Sequence, residues 1–179
     1  MNPHTSLPVG CACCPMSRRS FLKTGCACAG AAGAALFAGK TFAAGSTGKL
    51  RLKVVYSLHA PVQPGPDWPN VGFDFRPVME KFTNALSQAF PDMAFATAMA
   101  ANEDEAKAIL EADKKAGKDV PDGYIVYQLN CWNRIVQTLA TSDKPVLYAD
   151  FQYGGSGGFL VYTAGLLRAK SGNVGFVAS

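Results

Sequence analysis

The chain has 179 residues, 49% of them hydrophobic, with 17 basic and 13 acidic side chains and a formal net charge of +4. That length accommodates one domain with a sizeable core. The basic excess is local: residues 1–43 hold Arg18, Arg19, Lys23 and Lys40 and no acid, which leaves 13 basic against 13 acidic residues in the remainder. The charge therefore gives no argument for nucleic acid or an anionic lipid surface as partner.

In chain order, the first motif is Ser17-Arg18-Arg19-Ser20-Phe21-Leu22-Lys23, followed by a run of small apolar residues from Thr24 to Ala38. It resembles the twin-arginine signal of bacterial Tat export, with Arg18, Arg19, Phe21, Leu22 and Lys23 in the characteristic positions. The resemblance implies the Tat translocon as a partner, export in the folded state, and a periplasmic or extracytoplasmic location. At about 1.5 Å per residue the apolar run spans roughly 22 Å as a helix, short of the roughly 30 Å hydrocarbon core, which favours a removable signal over a permanent anchor. Cleavage is expected near Ala43, so the chain divides into a signal over 1–43, a linker over 44–49 and a domain over 50–179. Cys11, Cys13, Cys14, Cys26 and Cys28 fall in the signal, where they read as small apolar filler in preference to a metal site. Cys131 alone remains, so the mature part forms no internal disulfide.

Apolar periodicity then alternates between strand and helix. Leu50–Leu58 reads as a strand. Val78, Phe82, Ala85 and Ala89 form a helical stripe that Pro77 opens and Pro91 stops. Met93–Met99 is a weaker strand. Asn102 followed three residues later by Glu105 has the form of a capping box, with Ala106, Ile109 and Leu110 on the buried side of the helix and Gly117 at its end. Tyr124–Tyr127 is an apolar run suited to a strand covered on both faces. A helix is expected over Trp132–Leu139, a strand at Val146–Ala149, a helix over Phe159–Arg168 and a last strand at Val174–Val177. Five strands with four intervening helices predict an α/β domain with an open, doubly wound parallel five-stranded sheet. The flavodoxin-like order 2-1-3-4-5 is the first expectation and a Rossmann-like order the second. Because the chain closes on an apolar strand, the sequence reads as the front part of a longer protein, or as a chain whose partner covers that strand.

In such a sheet, ligands bind beyond the carboxyl ends of the strands. The strand exits supply His59, Trp68, Gln128, Asn130, Trp132, Asp150, Gln152 and Ser156, the last within Gly154-Gly155-Ser156-Gly157-Gly158. Amides, one acid, one imidazole and aromatic rings suit a neutral polyhydroxylated ligand: ring faces cover the C–H side of a sugar, and amides bond its hydroxyls. Each residue also has a structural reading. His59 could be a satisfied strand-end side chain, Asp150 a cap, Cys131 a buried thiol, and Trp68 and Trp132 packing residues. Glu103-Asp104-Glu105 reads as a helix-start charge cluster. The glycine loop matches neither G-x-G-x-x-G nor a G-K-[ST] phosphate signature. No catalytic residue is assigned, and His59, the only histidine of the mature part, leaves no multi-histidine metal site in this chain.

Three segments, VVYSLHAP, YIVYQLNCWNR and KPVLYADFQYGGSGGFL, together resemble the N-terminal α/β domain of the L-fucose/L-arabinose isomerase-like family. The resemblance implies a front domain that contributes to carbohydrate binding. It also implies a divalent metal of the Mn type held by later domains of a full-length protein, not by this chain, and a possible homo-oligomer. Two further classes share the architecture: a non-enzymatic periplasmic sugar-type binding module, and an FMN-type redox flavoprotein. The Pro-rich exit of the first strand suits the flavoprotein least.

Overall fold

A computed structural model of the chain describes residues 48–130, 132–151, 154 and 156–178. The export heptapeptide, the cleavage site, Cys131 and Gln152 lie outside the described residues, as does the side chain of Ser156.

Five strands, β1 (Leu50–Ser57), β2 (Met93–Ala100), β3 (Gly123–Gln128), β4 (Val146–Asp150) and β5 (Val174–Val177), form one sheet in the order β2-β1-β3-β4-β5, parallel throughout. Four helices connect them: α1 (Arg76–Ala89), α2 (Glu103–Lys114), α3 (Ile135–Leu139) and α4 (Ser156–Arg168). This is the expected α/β fold in the first of the two expected strand orders. Among the described residues, no helix is long and apolar enough to cross a membrane.

Burial follows position in the sheet. The central strand β3 is buried at five of its six residues, whereas the outermost strand β2 is fully buried only at Ala100. Successive side chains point to opposite faces, so the strands feed two separate cores. On one face Val55, Tyr124, Val126, Val146 and Tyr148 meet Ala106 and Leu110 of α2, Ile135 and Leu139 of α3, and Phe159, Tyr162 and Leu166 of α4. On the other face Val54, Tyr56 and Ile125 meet Phe75 and the apolar stripe Val78, Met79, Phe82 and Leu86 of α1. Three helices thus cover one face and α1 the other, where Leu147 and Val177 are 41% and 47% exposed.

The helix boundaries obey local chemistry. Pro77 stands in the first turn of α1, and Phe90 closes it with a backbone bond to Leu86. At α2 the Asn102 side chain accepts from Glu105 N at 2.9 Å, and the Glu105 carboxylate reaches back to Ala101 N at 2.8 Å. The capping box therefore closes one residue earlier than its usual reciprocal bond. Helix α3 is shorter than the expected Trp132–Leu139, because Trp132 and Arg134 have φ of 63° and 51°. A right-handed helix cannot run through left-handed residues, so its first turn begins only at Ile135.

Candidate functional site

Strands β1 and β3 are neighbours, and their last residues, Ser57 and Gln128, stand in register. Beyond them the chain turns to opposite faces, toward α1 after β1 and toward α3 after β3. The divergence opens a crevice at the carboxyl edge, the position where open parallel sheets bind ligands. It has a volume of about 460 Å³. His59 from the β1 exit, Asn102, Glu103 and Lys107 from the start of α2, and Trp132 and Arg134 from the β3 exit are among its walls.

Beneath its lining, and reaching it through Asn133, lies a network of buried amides. Ser57 Oγ donates to Asn133 Oδ1 at 2.6 Å, and Gln128 Nε2 donates to the same oxygen at 3.2 Å. Gln128 Nε2 also meets the Asn130 carbonyl, and Tyr148 donates its hydroxyl to Gln128 Oε1 at 2.8 Å. Asn130, fully buried, ties the β3 exit to three points of the loop after β1: its Oδ1 accepts from His59 N at 3.0 Å, and its Nδ2 donates to Gln63 Oε1 and to the Trp68 carbonyl, both at 3.2 Å. Asn133 Nδ2 is buried and has no hydrogen-bond partner among the described residues. A buried donor left in this way costs about 1–3 kcal/mol.

The rim carries aromatic surface. Trp132 is 67% exposed and Trp68 61%. The Trp132 ring stands edge-on against Tyr162 of α4 at 6.3 Å, and Arg134 N donates to the Tyr162 hydroxyl at 3.3 Å. The left-handed backbone at Trp132 and Arg134 costs roughly 1–2 kcal/mol at each. What that conformation achieves is visible in the placement: it turns Asn133 down onto Ser57 and Gln128 while the indole stays in solvent.

The charges of the crevice are matched. Arg134 Nε lies 3.4 Å from Glu103 Oε1, and Lys107 Nζ lies 2.9 Å from Asp104 Oδ1. The hydrogen bond from Lys107 holds the exposed Asp104 carboxyl below the usual carboxylate range. His59 Nε2 is 3.5 Å from Asp67 Oδ2, and both side chains are partly exposed. Among the described lining residues each charged side chain has an opposite charge within 4 Å, and the neutral groups are the amides of Asn102 and Asn133 and the indole of Trp132.

Of the residues expected from sequence, His59 and Trp132 line the crevice; Gln128 and Asn130 are fully buried outside the lining, bonded to Asn133 and to the His59 backbone, and Trp68 is tied to Asn130. Asp150 ends β4 in register with Gln128, on the same edge but outside the lining. The sequence places Gln63 and Asn133 at strand exits without assigning them a ligand role and does not single out Ser57; the part each plays depends on contacts across 67, 76 and 71 residues. Glu103 and Asp104, read as a helix-start cluster, also form one wall. Gly154 holds two exits together, since a Cβ there would overlap the Leu129 carbonyl. Among the described residues, no group of three or more His, Cys, Asp or Glu side chains is placed to hold a metal ion.

A second polar cluster lies at the opposite, amino end of the sheet. Lys53 of β1 pairs with Asp113 of α2, whose second oxygen accepts from the Tyr124 hydroxyl at 3.0 Å. Burial, and then the negative charge of Asp113, pushes the Tyr124 hydroxyl well above its usual range.

No family model, curated protein or solved structure matches this chain.

Proposed function

We propose that the domain binds a neutral polyhydroxylated ligand, a carbohydrate, in the crevice between the β1, β2 and β3 exits. The observation that supports this most is the composition of the site: buried amides below, an exposed indole at the rim, and charges that neutralise one another. A sugar ring offers what this arrangement lacks. Its C–H face covers apolar ring surface at Trp132, and its hydroxyls meet the lining amides Asn102 and Asn133. An anionic cofactor such as FMN is served less well, because both cations of the lining already hold a carboxylate.

The reading extends the resemblance to the sugar-isomerase family, in which this domain contributes binding and a metal of the Mn type belongs to other domains. A non-enzymatic sugar-binding module would use the crevice in the same manner. Export through the Tat route rests on the heptapeptide at Ser17–Lys23. Replacing Arg18 and Arg19 together by Lys is expected to leave the precursor inside the cell, and unchanged export would remove that part of the proposal.

Saturation-transfer NMR on the full chain with a panel of aldoses and ketoses tests the binding reading. Transfer to ring C–H protons of at least one sugar, lost on Trp132→Ala, is the expected result. Absence of transfer to every sugar, at millimolar concentration, would sink it.

A further inference from the structure

Trp68 is nearly as exposed as Trp132, but it is not part of the crevice lining. It sits at the tip of the long loop between β1 and α1, in a segment with prolines at Pro61, Pro64, Pro66 and Pro69. Each proline fixes its own φ, so the loop is stiff. Its two arms are also stitched together: Gln63 N donates to the Phe73 carbonyl and Phe75 N to the Pro61 carbonyl, both at 2.8 Å. At the tip Trp68 N donates to Asp67 Oδ1 at 2.7 Å, and the Trp68 carbonyl accepts from Asn130. The backbone of this residue is pinned on both sides while its indole stays in water.

The pins place Trp68 beside the crevice. Asp67, its neighbour in the chain, has its other oxygen 3.5 Å from Nε2 of His59, which lines the crevice together with Trp132. Asn130 lies two steps along the chain from Trp132 and reaches the Trp68 carbonyl through one side-chain hydrogen bond of 3.2 Å, which sets the two tryptophan backbones within about 16 Å of each other. Resting on the carbohydrate reading above, we propose that the ligand is a linear, neutral oligosaccharide, with one unit seated in the crevice against Trp132 and a further unit over Trp68.

Three observations carry the step from one sugar to several. Trp68 lies outside the lining, so a single ring held in the crevice leaves its indole uncovered, and only a ligand that continues past the rim uses it. A glycosidic link delivers the second ring to the second indole without a second loss of translational freedom, so each platform adds to the affinity of a chain. The stiff, stitched loop holds the outer platform in place before the ligand arrives, which lowers the ordering cost of binding. Charge agrees with a neutral chain, because Asp67 near the outer platform is matched by His59 just as the charged lining residues match one another.

Titration of the full chain with glucose, mannose and xylose and with their 1,4-linked oligomers of two to four units tests the proposal. In at least one series the affinity is expected to rise about tenfold from the single sugar to the trisaccharide, and Trp68→Ala is expected to erase that rise. Affinity that does not change with chain length, or a rise that survives in Trp68→Ala, overturns the proposal and leaves the crevice reading standing. Absence of binding at every length overturns both. Should Trp68→Ala fail to fold, fluorescence of Trp132→Phe decides, since Trp68 is then the only indole of the chain. Emission that moves to shorter wavelength with the trisaccharide and not with the single sugar supports the proposal, and spectra that respond equally to the two, or to neither, reject it.

Discussion

The two ends of the sheet each bury a polar cluster, and the clusters differ in kind. At the amino end Lys53, Asp113 and Tyr124 match charge with charge and donor with acceptor. At the carboxyl end Ser57, Gln128, Asn130 and Asn133 are neutral, a buried amide donor is left over, and the backbone beside it is strained. A matched cluster has no remaining capacity for a ligand, so its role is to fix α2 against β1 and β3. An unmatched one, next to exposed aromatic surface, retains capacity. On the reading proposed above, the difference gives stability to one end and recognition to the other.

The largest expected effect is on the amino end. Asp113→Ala leaves Lys53 without its partner in a largely buried place and should lower stability by about 2–3 kcal/mol in urea denaturation, less than a fully buried pair because Lys53 keeps some water. Sugar affinity measured at a temperature where the variant is folded should not change. A variant that unfolds easily and also binds differently would erase the distinction between the ends.

At the carboxyl end the order is reversed. Trp132→Ala should weaken sugar binding about tenfold, ~1.4 kcal/mol, and should shift the thermal midpoint by no more than about 2 °C, since the ring touches the fold chiefly through Tyr162. Arg134→Gly sharpens the point. It relieves a left-handed residue and gives up an exposed ion pair of small worth, for a net gain of about 0.5–1 kcal/mol by calorimetric melting. Loss of stability in that variant would mean that the strain reading is wrong.

The smallest effect is in pH. Burial raises the hydroxyls of Tyr56, Tyr124 and Tyr127 above the usual tyrosine range. The unfolded chain ionises at the ordinary value near 10 while the folded chain does not, so these groups favour the fold fully below about pH 10 and progressively less above it. The urea midpoint should hold from pH 8 to about pH 9.5 and fall beyond that. Tyr124→Phe should reduce the fall, and a fall of equal size in that variant would place its cause elsewhere.

How far the sequence carried depended on how local the physics was. Strands such as Tyr124–Tyr127 and the stripe Val78, Phe82 and Leu86 are written in consecutive residues, and the capping of α2 spans four. The parallel sheet and its order followed from them. The segment at Trp132–Arg134 was misread as helix, because its periodicity continues that of Ile135–Leu139 while its backbone answers to a distant demand, the seat of Asn133 on Ser57 and Gln128. The network beneath the crevice was legible only in part: Gln128 and Asn130 stood out as strand-exit amides, whereas their partners did not. Ser57 and Gln63 belong to it only once β1 and β3 are side by side. Glu103 and Asp104 were legible as a helix start, but nothing local could say that the same turn forms a wall.

The claim that the carboxyl edge recognises a carbohydrate is tested most directly by isothermal titration calorimetry of the full chain against a sugar panel, with Asp113→Ala and Trp132→Ala alongside. The account predicts heat of binding for at least one neutral sugar, retained in Asp113→Ala at a folding temperature and reduced about tenfold in Trp132→Ala. Titrations with no heat for any sugar, or binding that Trp132→Ala leaves intact, would contradict it.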